Sequence, residues 1–118
     1  MCDSWHAHIY YNAKESKETA TVLRKAIGIK FPEVILGRWH DKSVGPHLAP
    51  MYQVAFKADQ FGVIVPWLVI RRDGLSILIH PNTDNPWRDH VVLGFWLGEK
   101  LSLNEFRLQE MTTLDSIE

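Results

Sequence analysis

The sequence predicts an α+β domain with the ferredoxin-like βαββαβ order, in which one antiparallel sheet carries both helices on one face. Three observations predict this fold. Four short segments have the apolar alternation or the β-branched content of strands. Two of the intervals between them carry apolar residues at helical spacing. The chain has 118 residues, which favours a single domain covering residues 1–118.

Each predicted strand is a short apolar or aromatic segment bounded by polar or turn-forming residues. The third, MYQVAFK, alternates strictly, and the fourth, LSILIH, follows an Asp-Gly turn. A fifth apolar run favours an additional strand. The predicted strands are residues 5–11, 34–40, 51–57 and 75–80, with the additional run at residues 91–97.

The two predicted helices lie between the first and second strands and between the third and fourth. The first is expected over residues 14–29, with the side-chain oxygen of Asn12 as its cap. The second is expected over residues 61–72, with a kink at Pro66. The polar tail after Glu105 is expected to fray or to dock on a partner.

Composition and charge exclude several classes of protein. Lys and Arg number 13 and Asp and Glu number 14, so the net charge of −1 gives no attraction to nucleic acid or to an anionic membrane. The longest apolar stretch contains Pro66 and has about half of the roughly twenty residues that a membrane span needs. The first ten residues do not resemble a signal peptide. Cys2 is the single cysteine, which excludes an intrachain disulfide and favours a reducing, cytoplasmic location.

One face of the predicted sheet is left without helices. Apolar side chains fall on this face in either register, because Tyr10, Leu78 and one of Met51 and Tyr52 alternate along their strands. Four strands cannot cover their own second face, so we expect two copies of the chain to stack their sheets. The sequence therefore predicts a homodimer of the dimeric α+β barrel type.

Histidine is over-represented for a chain of this size. The first two, His6 and His8, are two residues apart on a strand and therefore share a face. Trp5, Ala7, Ile9 and Tyr11 form the opposite, helix-facing side of that strand, so the histidine pair points to the open face. The six histidines are His6, His8, His40, His47, His80 and His90.

The predicted topology brings several of these histidines together. The fourth strand pairs antiparallel with the first, so His80 is expected near His6 and His8. The loop over residues 41–50 is long enough to carry His47 across the same face. A single histidine is more often a surface or hydrogen-bonded group, but three or more on one face favour a metal or acid–base site. Imidazole ligands suit Zn, Fe, Cu or Ni better than Mg or Ca.

Cys2, Arg38 and the tryptophans are the other candidates for a functional role. Cys2 has no positioned partner, so it is not expected to act as a nucleophile. Arg38 lies inside a predicted strand between Gly37 and Trp39, where a role in anion binding is expected. Most of the tryptophans are expected in the core or at an interface, and Trp87, in a proline-rich loop, is the exception.

Three segments of the chain resemble the DOPA 4,5-dioxygenase family in its small fungal and bacterial form. They are the H-x-H-x-Y of the first strand, the stretch GRWHDKSVGPH, and the stretch LSILIHPNT followed by Asp89-His90. The resemblance covers about residues 4–104. It implies a dimeric ferredoxin-like fold, a non-haem Fe(II), for which zinc can substitute in purified protein, and extradiol cleavage of a catechol such as L-DOPA by O2.

The resemblance also implies roles for individual residues. Extradiol cleavage needs a metal with open positions, a base and an acid. A carboxylate from Asp41, Asp84 or Asp89 stays open as a third ligand, because many Fe(II) oxygenases use two histidines and one carboxylate. The assigned residues are His8, His47 and His80 as metal ligands, His6, His40 and His90 for acid–base catalysis, and Arg38, Tyr10 and Trp87 for substrate binding.

Two other functions fit the same sequence. One is a metal-free enzyme of the dimeric α+β barrel type that uses histidine as a general base. The other is a binding module whose sheet face holds a metal or a small aromatic acid without catalysis. Metal content and catechol turnover distinguish these three functions.

Overall fold

The computed structural model of the chain describes residues 2–117, with side chains described through Thr112. It confirms the predicted fold class: one antiparallel sheet, with strand order β2-β3-β1-β4-β5, carries helices in an α+β arrangement. The strands are β1 Ser4–Tyr10, β2 Ile35–Leu36, β3 Met51–Lys57, β4 Ser76–Pro81 and β5 Phe95–Leu97, and the helices are α1 Lys17–Lys30, α2 Phe61–Arg71 and α3 Glu105–Ile117.

The strand β1 lies at the centre of the sheet and sets its register. It pairs antiparallel with β3 on one side and with β4 on the other, so that His6 lies opposite His80. The predicted pairing of the first and fourth strands is therefore confirmed. The fourth strand is not the sheet edge, however, because β5 pairs with its outer side through residues 95–97.

The main core lies between one face of the sheet and the helices α1 and α2. Alternate residues of the strands are fully buried there, as the apolar periodicity predicts. Burial of each such side chain contributes about 1.5–3 kcal/mol, so this face accounts for most of the stabilisation. Its largest fully buried members are Tyr52, Ile9, Ile77 and Ile79 from the sheet and Ile27, Ile64 and Leu68 from the helices.

The second strand is much shorter than predicted. The ladder places Leu36 opposite Val54, and the next bridge places His40 opposite Met51, so one extra residue is inserted between them. Gly37 lies close against Gln53, where an added Cβ would be 3.2 Å from the carbonyl oxygen of Gln53. The insertion bends the segment out of the ladder. The prediction of a regular strand over residues 34–40 is therefore wrong.

The start of the first helix also differs from the prediction. The helix α1 begins at Lys17, and Asn12 does not cap it. The side-chain oxygen of Asn12 instead accepts hydrogen bonds from the backbone of Lys14 at 2.9 Å and of Glu15 at 3.3 Å. These bonds form a turn that precedes the helix, because asparagine side chains compete with helical hydrogen bonding.

The tail after Glu105 forms the helix α3, which docks on its own domain. Leu108 is fully buried, and the hydroxyl of Thr112 accepts a hydrogen bond from the backbone of Trp87 at 2.9 Å. The expected fraying is therefore not found over residues 105–112. The rest of the tail, residues 113–118, lies outside the described side chains.

Segments of the same chain cover much of the second face of the sheet. Tyr10, Met51 and Leu78 form a buried apolar cluster there, against which Trp96 and Leu103 pack. The uncovered face that led us to expect stacked sheets is therefore partly filled by this chain, and the homodimer stays a prediction. Among the described residues, no helix is both long and apolar enough to cross a bilayer.

Candidate metal centre

Five imidazole rings converge on the second face of the sheet. The ring centroids of His8 and His47 are 4.1 Å apart, and those of His8 and His80 are 5.0 Å apart. His90 stands 3.9 Å from His80, and His6 stands 5.2 Å from it. The predicted topology did not place His90, yet its ring also joins the cluster.

Three local structures place these histidines. Pairing of β1 with β4 brings His6 opposite His80. His47 is held by a tight turn with Val44, made possible by Gly45 at φ 56°, and by a bridge to Leu103. The residues Arg88–Val92 form a π-helical turn that carries His90 back over the sheet.

Three of the rings are oriented by a hydrogen bond at Nδ1. His80 donates from Nδ1 to the carbonyl oxygen of Pro81 at 2.8 Å, and His90 donates to that of Pro86 at 2.7 Å. The hydroxyl of Tyr10 lies 2.6 Å from Nδ1 of His47. Metal-binding histidines commonly have such a partner on the nitrogen that does not face the ion. Nδ1 is therefore occupied in each of these rings, and Nε2 is the nitrogen that points away from this partner.

His8 is buried and has one nitrogen without a partner. Its Nε2 lies 2.9 Å from Nε2 of His80. Because His80 carries its proton on Nδ1, its Nε2 accepts, and the proton between the rings belongs to Nε2 of His8. Nδ1 of His8 is then left with a free lone pair, and it has no hydrogen-bond partner among the described residues. A buried lone pair of this kind is an open ligand position.

The donor atoms form two groups that can each hold an ion. The first group is His6, His8 and His80, and the second group is His8, His47 and His90; in each, the ligand atoms lie within 4.8 Å of one another. Nitrogens bound to one ion at about 2.1 Å lie roughly 3.0–3.4 Å apart, so small side-chain rotations close either group on an ion. The sequence-predicted ligands His8, His47 and His80 are divided between the two groups, and their assignment stays a prediction.

Burial keeps these imidazoles neutral. Burial, and next the neighbouring His90, lowers the pKa of His6 to about 4 and those of His47 and His80 to about 3. Burial, and next the surrounding histidines, also hold the pKa of His8 well below its usual range. Burial also lowers the pKa of His90, although the carbonyl of Pro86 and the carboxylate of Asp89 oppose it. Neutral imidazole is the form that binds metal.

The low pKa values predict a pH-dependent stability for the metal-free protein. Between about pH 6.5 and pH 4 the unfolded chain binds more protons than the folded chain, because its histidines titrate at 6.5 and the buried ones below that. We expect the free energy of unfolding to fall as the pH is lowered through this window and to level off above it. The midpoint of urea unfolding at each pH measures this fall. In His80→Gln the midpoint should depend less steeply on pH. A midpoint that rises towards acid pH would contradict the assignment.

The three aspartates left open as ligands do not enter either group. Asp89 is buried beside the cluster, but its two oxygens accept from the backbone of Thr83 at 2.7 Å and from its hydroxyl at 2.6 Å. Asp41 accepts from Tyr11, and it also pairs with a lysine on the surface. Asp84 is exposed, 3.8 Å from Arg88. The site is therefore built from imidazole alone among the described residues.

The remaining sequence-predicted residues lie outside the cluster. His40 bridges to Met51 and is close enough to lower the pKa of His47. Arg38 is exposed, and Trp87 lies next to the cavity wall with its indole nitrogen buried. Tyr10 is buried behind His47 instead of facing the cavity. The acid–base role of His40 and the substrate roles of Arg38, Tyr10 and Trp87 stay predictions.

A cavity of about 260 Å³, which we call the histidine cavity, opens onto all five rings. Its wall includes Gln53 and Met111, which sequence reasoning missed. Gln53 could have been found, because it shares a strand face with Met51 and pairs with His8. Met111 could not, because nothing in the polar tail indicated that it returns to the sheet. Besides the histidines, the wall comprises Pro46, Gln53, Asn82, Thr83, Pro86, Asp89 and Met111.

Comparison with known proteins gives one consistent family. The sequence profile of the Dopa 4,5-dioxygenase family matches residues 5–106. The chain is 38% identical over 111 residues to an uncharacterised 21.2 kDa protein of Botryotinia fuckeliana. It is 33% identical over 107 residues to a DOPA 4,5-dioxygenase of Amanita muscaria. These matches cover 86% and 85% of this chain but 61% and 47% of the relatives, so the chain spans about half of their length.

A solved structure matches almost the whole fold. It is the crystal structure of a candidate dioxygenase of Nostoc punctiforme, which is 46% identical to this chain. The two superpose with a TM-score of 0.89, over 93% of this chain and 94% of the other.

Proposed function

The chain belongs to the Dopa 4,5-dioxygenase family, and from this membership and the histidine cavity we propose that it opens the ring of a catechol, such as L-DOPA, with O2. The observation that carries the proposal is the convergence of five neutral imidazoles on one cavity, with three ligand nitrogens in each group. Both atoms of O2 enter the ring-opened product, so the reaction needs no external reductant.

We propose the second group, His8, His47 and His90, as the ligands of an Fe(II) ion. This assignment gives the buried Nδ1 of His8 a partner, and Nδ1 bonds already orient His47 and His90. A bound Fe(II) would supply open positions for the catechol oxygens and O2. Two of the sequence-predicted ligands are kept, and His80 belongs to the alternative first group. Zinc suits the same ligands and can replace iron in purified protein.

The other two histidines of the cavity are proposed to act beside the ion, His6 by moving a proton and His80 by positioning His8. His6 is half-buried on the cavity wall and neutral at pH 7, so it can accept the proton of a catechol hydroxyl and return it later. Nε2 of His80 accepts a hydrogen bond from Nε2 of His8, and Nδ1 of His80 donates one to the carbonyl oxygen of Pro81. This chain fixes the ring of His8 and directs its Nδ1 lone pair.

Catechol turnover tests the proposed function. Protein loaded with Fe(II) without O2, then mixed with air and L-DOPA, should form a yellow ring-opened semialdehyde, which absorbance detects. Chelation of the metal should stop its formation, and renewed Fe(II) should restore it. Turnover that survives chelation would favour the metal-free enzyme. Catechol binding without any product would favour the binding module.

The hydroxyl of Tyr10 is expected to support metal binding through His47. Tyr10→Phe removes the group 2.6 Å from Nδ1 of His47, and loss of such an orienting partner typically weakens metal binding about ten- to a hundredfold. Tyr11→Phe is the matched control, because its hydroxyl bonds Asp41 at 2.7 Å on the helix-facing side. Competition with a chelator measures the metal affinity of the two variants. Equal affinity in the two variants would show that Tyr10 does not orient a ligand.

A further inference from the structure

A second cavity, of about 350 Å³, shares His90 with the histidine cavity and is within the size range of small-ligand pockets. Trp96 and one charged residue of each sign also line it. The main residues of this second cavity are His90, Trp96, Lys100, Ser102, Leu103 and Glu105.

The second cavity is tied to the proposed metal ligands at three points. His90 is itself one of them. Trp96 stacks on Tyr10 with ring centroids 5.4 Å apart, and Tyr10 contacts His47. Leu103 forms a β-bridge with His47. A ligand whose ring lies beside His90 therefore has a lined space next to it for a side chain.

This cavity is lined by two side chains of opposite charge, Lys100 and Glu105. Lys100 and Glu105 are both exposed, and neither side chain forms an ion pair or hydrogen bond with the described residues. The ion pairs found among the described residues join other side chains. An unpaired cation and an unpaired anion that line one cavity with the ring of Trp96 are complementary to a small zwitterion that carries a ring.

We propose that the second cavity binds the charged end of an aromatic α-amino acid, with Lys100 contacting its carboxylate and Glu105 its ammonium group. This inference rests on the proposed function, because it places the ring of the same substrate at the histidine cavity. Ser102 adds a hydroxyl to the polar wall. The two charges thus select catechols with an amino acid side chain over catechols that carry one charge or none.

Three ligands of different charge test Lys100 and Glu105 separately. L-DOPA carries both a carboxylate and an ammonium group, dihydrocaffeate carries only the carboxylate, and dopamine carries only the ammonium group. Their Kd values are measured by calorimetry without O2 on Fe(II)-loaded protein. Lys100→Gln should raise the Kd of L-DOPA and dihydrocaffeate about five- to tenfold and spare dopamine. Glu105→Gln should raise the Kd of L-DOPA and dopamine and spare dihydrocaffeate.

Surface charges outside both cavities serve as controls, and Lys14→Gln and Glu99→Gln should change none of the three Kd values. The crossed pattern supports the proposal. Equal shifts for all three ligands, no shift, or no binding by the unsubstituted protein would overturn it. Turnover of methylcatechol, which has no charged side chain, tests the proposed function separately. If methylcatechol is cleaved while both variants bind L-DOPA normally, the inference fails and the proposed function stands.

Discussion

His8→Ala is expected to abolish metal binding and to lower catechol turnover by at least about a thousandfold. Loss of a partner that only orients a ligand costs about ten- to a hundredfold, and loss of the ligand nitrogen itself should cost more. His8 belongs to both groups of convergent donors, so this result does not depend on which group holds the ion. Metal content after dialysis and the rate of product formation measure the two effects.

Single variants of the other histidines decide between the two groups. His47→Ala and His90→Ala should lose the metal if the second group binds it. His6→Ala should keep the metal and lose turnover. His80→Gln, which keeps an acceptor near Nε2 of His8, should keep the metal. His40→Ala, outside both groups, should keep the metal. Retention of metal by His90→Ala with loss in His80→Gln would move the ion to the first group.

Gly94→Ala is expected to disrupt the site from the backbone. An added Cβ at this position would lie 2.8 Å from the carbonyl oxygen of His90 and 2.9 Å from that of Asp89. Both oxygens belong to the π-helical turn that holds His90, so the turn must move. Overpacking of this kind costs about 1–3 kcal/mol, and the metal affinity should fall with the displacement of His90. Urea unfolding and chelator competition measure the two effects.

Gly62→Ala is the matched control for this substitution. Gly62 lies in α2, and an added Cβ there would meet nothing within 4 Å. Because alanine favours helix by about 1 kcal/mol over glycine, stability should rise slightly and metal binding should not change. A Gly94→Ala variant as stable and as tightly metal-bound as Gly62→Ala would show that the turn does not position His90.

The fold followed from patterns that act locally along the chain. Strict alternation over residues 51–57 and helical spacing in α1 each specify one buried face, and the strand order then follows from the ferredoxin-like connections. The predicted length of the second strand was wrong because one inserted residue after Leu36 interrupts the hydrogen-bonded ladder. A bulge of this kind leaves little trace in apolar periodicity.

The site was predictable only where strand register determines it. His6, His8 and His80 could be brought together because they sit on paired strands. His90 depends on a π-helical turn, and Met111 on a helix whose docking rests on Leu108. These placements come from tertiary packing of segments with weak local signals. The sequence therefore predicted where the site lies better than which of its histidines share an ion.

Cleavage of L-DOPA under isotopically labelled O2 tests the central claim most directly. The new aldehyde is reduced with borohydride at once, so that its oxygen cannot exchange with water. Mass spectrometry of this product from Fe(II)-loaded protein should then find two labelled oxygen atoms in each molecule, and His8→Ala should form none. Unchanged L-DOPA, or an oxidised catechol without incorporated label, would contradict a ring-cleaving dioxygenase at this histidine cavity.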